Sequence, residues 1–329
     1  MHMSVYPGEM GISFNRELDF EYGRVDQVSP LIRRVIANNP GGFTFMGTGT
    51  YIVGHGNVAV IDPGPNDAEH LAALRQALEG ETVTHILITH THSDHSPAAA
   101  PLKEETGAPT YGFGPHPSGD IPIYSASERA ALAEAAAEAE KTGKTPPPKE
   151  GSDRDFVPDV VVHDGDIIVG QGWSLEALHT PGHISNHLCF ALEKEKTLFS
   201  GDHVMGWSTS VISAPDGNLT DYMANLRRLL ERDDEVYWPT HGAAITDPHP
   251  YVRSLIEHRE ERTRQILARL EAGDTTIDQI VAVLYADVDK KLHPAAGRSV
   301  LAHLIALANQ GRVKAPVQNE WLDGQWHLL

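Results

Sequence analysis

The segment Thr89-His90-Thr91-His92-Ser93-Asp94-His95 packs three histidines and a carboxylate into a few residues, directly behind the apolar run Ile86-Leu87-Ile88. An apolar, β-branched run that stops at a polar cluster reads as a buried strand feeding a loop at a sheet edge. Alternation puts His90 and His92 on one side of an extended segment. Imidazole together with carboxylate suits zinc, iron or manganese. A solvated polar loop is the alternative, but solvation does not call for three imidazoles behind a core strand.

One loop cannot complete a metal's ligand set, so further donors are expected elsewhere. Leu178-His179-Thr180-Pro181-Gly182-His183 follows a strand-like run and ends on a histidine. Thr197-Leu198-Phe199-Ser200-Gly201-Asp202 repeats the pattern with a carboxylate, and Val236-Tyr237-Trp238-Pro239-Thr240-His241 repeats it with a histidine. Packing alone does not place a ligand-type residue at the end of each of these strands.

The pattern His90-x-His92-x-Asp94-His95, followed by His183, Asp202 and His241, resembles the metallo-β-lactamase superfamily from about residue 35 to 250. Within it the chain is similar to glyoxalase II-type and ribonuclease-type hydrolases. The upstream Val58-Ala59-Val60-Ile61-Asp62-Pro63-Gly64 matches the early strand whose aspartate supports a ligand histidine. The resemblance implies an α/β fold, a four-layer αββα sandwich, with a binuclear metal site at one sheet edge. His90, His92 and His183 then correspond to ligands of a first metal ion, Asp94, His95 and His241 to those of a second, and Asp202 to the bridge. Two divalent ions are implied, zinc first, with manganese and iron compatible. A hydroxide shared by the ions would attack an ester, thioester or lactone, with Asp94 accepting its hydrogen bond.

Departures from relatives narrow the reading. The sole cysteine, Cys189, sits inside a strand-like run and reads as a small buried hydrophobe, so a β-lactam substrate is not supported. His92 stands where flavo-di-iron oxidoreductases carry glutamate, which favours hydrolysis. Ile184 replaces the usual threonine after His183, and His187 reads as a supporting residue rather than a further ligand. Alternatives are a phosphodiesterase or endoribonuclease on single-stranded RNA, a mononuclear iron dioxygenase of sulfur compounds, and a non-catalytic winged-helix regulator. Tyr222, at the start of a predicted helix, is a candidate to stabilise an oxyanion.

Residues 1–250 are expected to form the catalytic domain, with a helical insertion at about 125–155, and 251–329 a winged-helix-like domain. Tyr251 to Ala272 carries the stripe Leu255, Ile256, Ile266, Leu267 and Leu270. Thr275-Thr276 can cap a helix using Ile277, Ile280, Val281 and Leu284, and a third helix carries Val300, Leu301, Leu304, Ile305 and Leu307. The formal net charge is −19, all of it in the first 250 residues. Clustered cations are needed to displace counterions from nucleic acid, so this balance disfavours nucleic-acid binding. A small-molecule substrate is the expected partner, and the C-terminal domain is expected to act in packing, as a lid or in a homodimer. A single cysteine, no signal-peptide pattern and no long apolar window lead to the expectation of a cytoplasmic protein without membrane association.

Overall fold

In the computed structural model, which describes residues 12–118, 123–126, 128–130, 133–134 and 151–329, strand alternation sorts the apolar side chains into stacked layers. The first sheet runs in the order β1 (Val25–Ser29), β2 (Ile32–Ile36), β3 (Gly49–Val53), β4 (Asn57–Ile61), β5 (Thr82–Leu87), β6 (Thr110–Gly112) and β7 (Val160–Val161). The second runs β12 (Val236–Pro239), β11 (Thr197–Gly201), β10 (Leu188–Leu192), β9 (Ser174–His179) and β8 (Ile167–Val169). Tyr51, Val53, Ala59, Ile61 and Leu87 face inward and meet Leu175, Ala177, Leu188, Phe190 and Phe199 of the second sheet.

The intervening residues face outward. Ile52, Val58, Val60 and Ile86 pack on Leu74 of α1 (Ala68–Ala77) and Leu102 of α2 (Ala99–Thr106). On the other side, Leu178, Cys189, Ala191 and Leu198 pack on Leu226 and Leu229 of α3 (Leu219–Leu229) and on Val252 and Leu255 of α4 (Pro248–Glu271). Three apolar seams between four layers make the αββα sandwich. Strands covered on both faces must be apolar at nearly every position, which is why they read as continuous runs. Burial pushes the Cys189 thiol up to about 12, so it is an inert packing residue.

Topology brings the ligand-type residues together. β4 and β5 are parallel, as are β11 and β12, while β9 and β11 each lie antiparallel to β10. Within each sheet these strands therefore share one carboxyl edge. The two edges are joined by Gly49 N–H donating to Thr240 O (2.8 Å), Leu188 N–H to Thr89 O (2.7 Å) and the Tyr51 hydroxyl to Pro239 O (2.6 Å).

The C-terminal unit contains α4, α5 (Ile277–Leu284), α6 (His293–Asn309) and the antiparallel pair β13 (Val313–Lys314) and β14 (His327–Leu328). Thr276 closes a capping box with Gln279 at the start of α5. Residue 250 falls in the first turn of α4, whose two halves serve different cores. Val252, Leu255 and Ile256 join the catalytic core, while Ile266, Leu267 and Leu270 join α5, α6 and the fully buried Trp326. Ala302 and Ala306 of α6 also pack into the catalytic core, so this helix is covered along much of its length. The predicted 125–155 insertion lies mostly outside the described residues. Among the described residues no helix is long and apolar enough to cross a membrane.

Candidate metal centre

All seven ligand-type residues of the sequence pattern converge at the joined edge. His90 Nε2 lies 2.8 Å from His92 Nδ1, and His183 Nε2 lies 3.0 Å from the same atom. Beside them, Asp94 Oδ2 is 3.1 Å from His241 Nε2 and 3.3 Å from His95 Nε2. Asp202 sits between the groups, with Oδ2 3.7 Å from His95 Nε2 and 3.9 Å from His183 Nε2, and Oδ1 3.5 Å from His241 Nε2. The donor atoms form three overlapping clusters: His90, His92 and His183; His90, His95 and Asp202; Asp94, His95 and His241.

Outward hydrogen bonds set which nitrogen each ring turns inward. A carbonyl can only accept, so Nδ1–H of His183 donates to Val211 O (2.6 Å) and that of His241 to Gly47 O (3.2 Å). His95 Nδ1 bonds Asp62 Oδ2 at 2.9 Å. The Thr89 hydroxyl donates to Asp62 Oδ2 (2.6 Å), leaving its lone pair for Nδ1–H of His90 at 3.0 Å. Four rings therefore present Nε2 to the centre, and His92 presents Nδ1. Asp62 also accepts from Thr89 N–H (2.8 Å) and the Thr240 hydroxyl (3.1 Å), joining β4, β5 and β12 through one buried carboxylate. Its φ of 48° is a conformation that side chains rarely adopt, held here by these four bonds.

Electrostatics divides the site. Burial, reinforced by neighbouring imidazoles, drives His90 well below the ordinary histidine range and His92 down to about 3. These rings are neutral and offer lone pairs. In the other group burial opposes charge, but Asp94, Asp202 and Asp62 outweigh it and hold His95 well above its usual value. Burial likewise lowers His241 and is outweighed by Asp202 and Asp94. Burial would raise Asp94 and Asp202, yet the facing histidines hold both carboxyls below the usual range.

His187 is not a donor to the centre. Its Nδ1 meets the Thr180 hydroxyl at 2.8 Å, and its Nε2 accepts Asp202 N–H at 3.1 Å. Burial first, then His203, keeps it neutral, as that acceptor role requires. Gly201 has φ +53°, and a Cβ there would lie 2.5 Å from His187 Nε2, so the turn ahead of Asp202 needs glycine. Tyr222 does not reach the cleft. It is fully buried in the catalytic core beneath Gly182, against His203, and does not line the cavity.

Contacts invisible in the sequence hold the His90–His95 loop from outside. Ser93 N–H donates to Gly151 O (2.8 Å), Asp153 N–H to Thr91 O (2.8 Å), and the Ser96 hydroxyl to Asp153 Oδ2 (2.7 Å). Asn186 Nδ2 donates to the Thr91 hydroxyl at 2.9 Å. The partners lie about 60 positions apart in the chain, a separation that local pattern does not encode. A cavity of 680 Å³ opens onto the centre. His92, His183 and Asp202 form part of its wall, and Tyr285, Val288 and Ala296 of the C-terminal unit form another.

Comparison with known proteins agrees with this architecture. A family model described as the Metallo-beta-lactamase superfamily matches residues 43–241, and one described as the Beta-lactamase associated winged helix domain matches 276–326. The chain is 30% identical over 272 residues to "Atrochrysone carboxyl ACP thioesterase" of Claviceps purpurea, covering 80% of this chain and 74% of that protein. It is 30% identical over 307 residues to "Beta-lactamase-like protein 2 homolog" of Caenorhabditis elegans, covering 91% and 92% respectively. A solved beta-lactamase domain protein from Burkholderia ambifaria superposes with a TM-score of 0.73 at 19% identity, over 98% of this chain and 99% of that one, a likeness of fold.

Supporting partners of metal-binding histidines commonly contribute 10–100-fold in affinity. Replacing Asp62 with Asn should therefore weaken zinc binding by about 10–100-fold, read by competition with a chromogenic chelator. Unchanged affinity would remove Asp62 from any role in orienting His95.

Proposed function

The chain belongs to the metallo-beta-lactamase superfamily, and from that premise we propose that it is a two-metal hydrolase of thioesters or esters of small organic acids. The observation that carries this reading is the set of inward atoms left over after the outward hydrogen bonds are counted. Asp94 Oδ1, His95 Nε2, Asp202 Oδ1 and His241 Nε2 are buried without a hydrogen-bond partner, although buried polar atoms are nearly always paired. Asp94, His95 and His241 form one cluster, and Asp202 joins His95 in the overlapping one. A tetrahedral cation with bonds of ~2.0–2.1 Å sets neighbouring nitrogens ~3.3 Å apart, close to the spacing of His90, His92 and His183. The donors fit the group.

His90, His92 and His183 would hold one ion, Asp94, His95 and His241 the other, with Asp202 shared. Five imidazoles and two carboxylates without a thiolate suit zinc, and manganese or iron also fit. When bound, such ions supply a Lewis acid for the acyl oxygen and a water acidified to about neutral pH. Asp94 keeps Oδ1 free, an acceptor that orients the attacking water. The Asp62–His95 and Thr89–His90 bonds fix the rings, so no reorganisation is needed as charge develops. A thiolate leaves without a proton donor because its conjugate acid has a pKa of ~8.5, so a thioester needs no further acid from this site. The relative named as an ACP thioesterase supports that substrate class. An RNA substrate receives less support, since the surface is acidic and α6 is packed against the catalytic core.

Tyr222 takes a positioning role in this reading. Tyr222→Phe should keep thioester turnover within a few-fold and leave metal content unchanged; a loss above about 100-fold at full metal content would return it to oxyanion stabilisation. Asp202→Ala should lower both bound metal and kcat/KM, the latter by at least about 100-fold, and dialysis against a chelator should abolish hydrolysis reversibly. Wild-type turnover in the chelated protein, or in Asp202→Ala, would overturn the two-metal hydrolase.

A further inference from the structure

Arg259 and Arg262 are one turn apart in the middle of α4, where it passes between the two cores, and both line the cavity that holds the metal centre. They are 5% and 6% exposed. No carboxylate lies within ion-pair distance of either among the described residues. Arg298, on the same cavity, is by contrast neutralised by Glu128 at 2.7 Å. A buried charge without a partner is costly, and proteins pair such groups unless a ligand does so.

What the two guanidiniums touch leaves part of their hydrogen-bonding capacity unused. Arg262 lies over the Tyr285 ring at 4.4 Å and Arg259 over the Tyr222 ring at 5.5 Å. Contact with a ring face uses none of a guanidinium's N–H donors, and its N–H edge is what binds carboxylate or phosphate in a fork. Arg262 Nη1 and Arg259 Nε are buried without a partner. Arg259 Nη2 donates to Ser210 O (2.5 Å), and the next carbonyl, Val211 O, accepts from His183 (2.6 Å). One strip of backbone thus separates Arg259 from the metal centre, and both arginines line the same cavity as His92, His183 and Asp202. The net charge of −19 repels anions at long range, so retention of one must come from a local cationic group such as this.

We propose that Arg259 and Arg262 form an oxyanion subsite of the substrate cavity, which takes a carboxylate or phosphate carried by the substrate away from the bond that is cleaved. This rests on the hydrolase reading for its substrate, but not for its binding chemistry. The decisive comparison uses two substrate pairs. The first is a glutaryl thioester against its uncharged pentanoyl counterpart, which places a carboxylate on the acyl side. The second is a pentanoyl thioester of a phosphorylated thiol against that of the unphosphorylated thiol. The wild type should favour the charged member of one pair by at least about tenfold in kcat/KM, and the responding pair identifies the anion. Arg262→Gln should bring that ratio to within about threefold of unity, and Arg262→Lys should retain part of it. A wild type indifferent to charge in both pairs overturns the subsite. So does an Arg262→Gln protein that loses charged and neutral substrates in proportion, since that marks a structural role. If no thioester is turned over, the hydrolase reading fails by itself, and calorimetry of glutarate and inorganic phosphate on the chelator-treated full chain decides the subsite. Binding that disappears in the Arg259→Gln/Arg262→Gln double variant supports it, whereas no binding, or binding unchanged in that variant, overturns it.

Discussion

Two carboxylates buried at one sheet edge, Asp94 and Asp202, demand positive charge beside them. Removing a carboxylate from water costs several kcal/mol even after relaxation, so burial survives only where cations or protons compensate. His95 and His241 compensate in part by holding protons, at the expense of a ring nitrogen that would otherwise be a donor lone pair. A divalent cation supplies the same charge more fully and releases those protons, which couples metal binding to pH and to folding. The orphaned atoms of the cluster follow from this single constraint.

The sandwich exists in a form that makes such a cluster affordable. Three apolar seams keep both sheets rigid, and the carboxyl ends of β4, β5, β9, β11 and β12 meet at one edge where backbone bonds join the sheets. Asp62 then ties three strands to His95 and, through Thr89, to His90. Around that fixed base the variable parts are loops and the C-terminal unit. Helix α4 spans both cores, so the winged-helix unit is built into the cavity wall rather than appended to it. Its third helix packs Ala302 and Ala306 into the catalytic core, and Tyr285, Val288 and Ala296 line the cavity.

The convergence of these seven side chains was legible in the sequence because metal chemistry restricts residue type and strand topology restricts position. Each donor follows an apolar run, and only convergence explains that repetition. The four layers came from the family resemblance, while nearly continuous apolar runs marked the individual buried strands. The burial of Tyr222 was not legible, because an amphipathic helix start gives no sign of which way its first aromatic turns. The tyrosine fills the space left by Gly182, where a Cβ would stand 2.5 Å from its Cα. The arginines of α4 were hidden among the charges of a long polar helix. Their burial comes from tertiary packing, Arg259 over Tyr222 and Arg262 over Tyr285. The supports from Gly151 and Asp153 depend on a chain return that local pattern does not encode.

Anomalous scattering from a zinc-soaked crystal tests the central claim most directly. Two peaks about 3.5–4 Å apart should appear, one among His90 Nε2, His92 Nδ1 and His183 Nε2, the other among Asp94, His95 and His241, with Asp202 reaching both. A single peak in the first group, or none at this edge, would contradict a paired metal centre and the hydrolytic chemistry drawn from it.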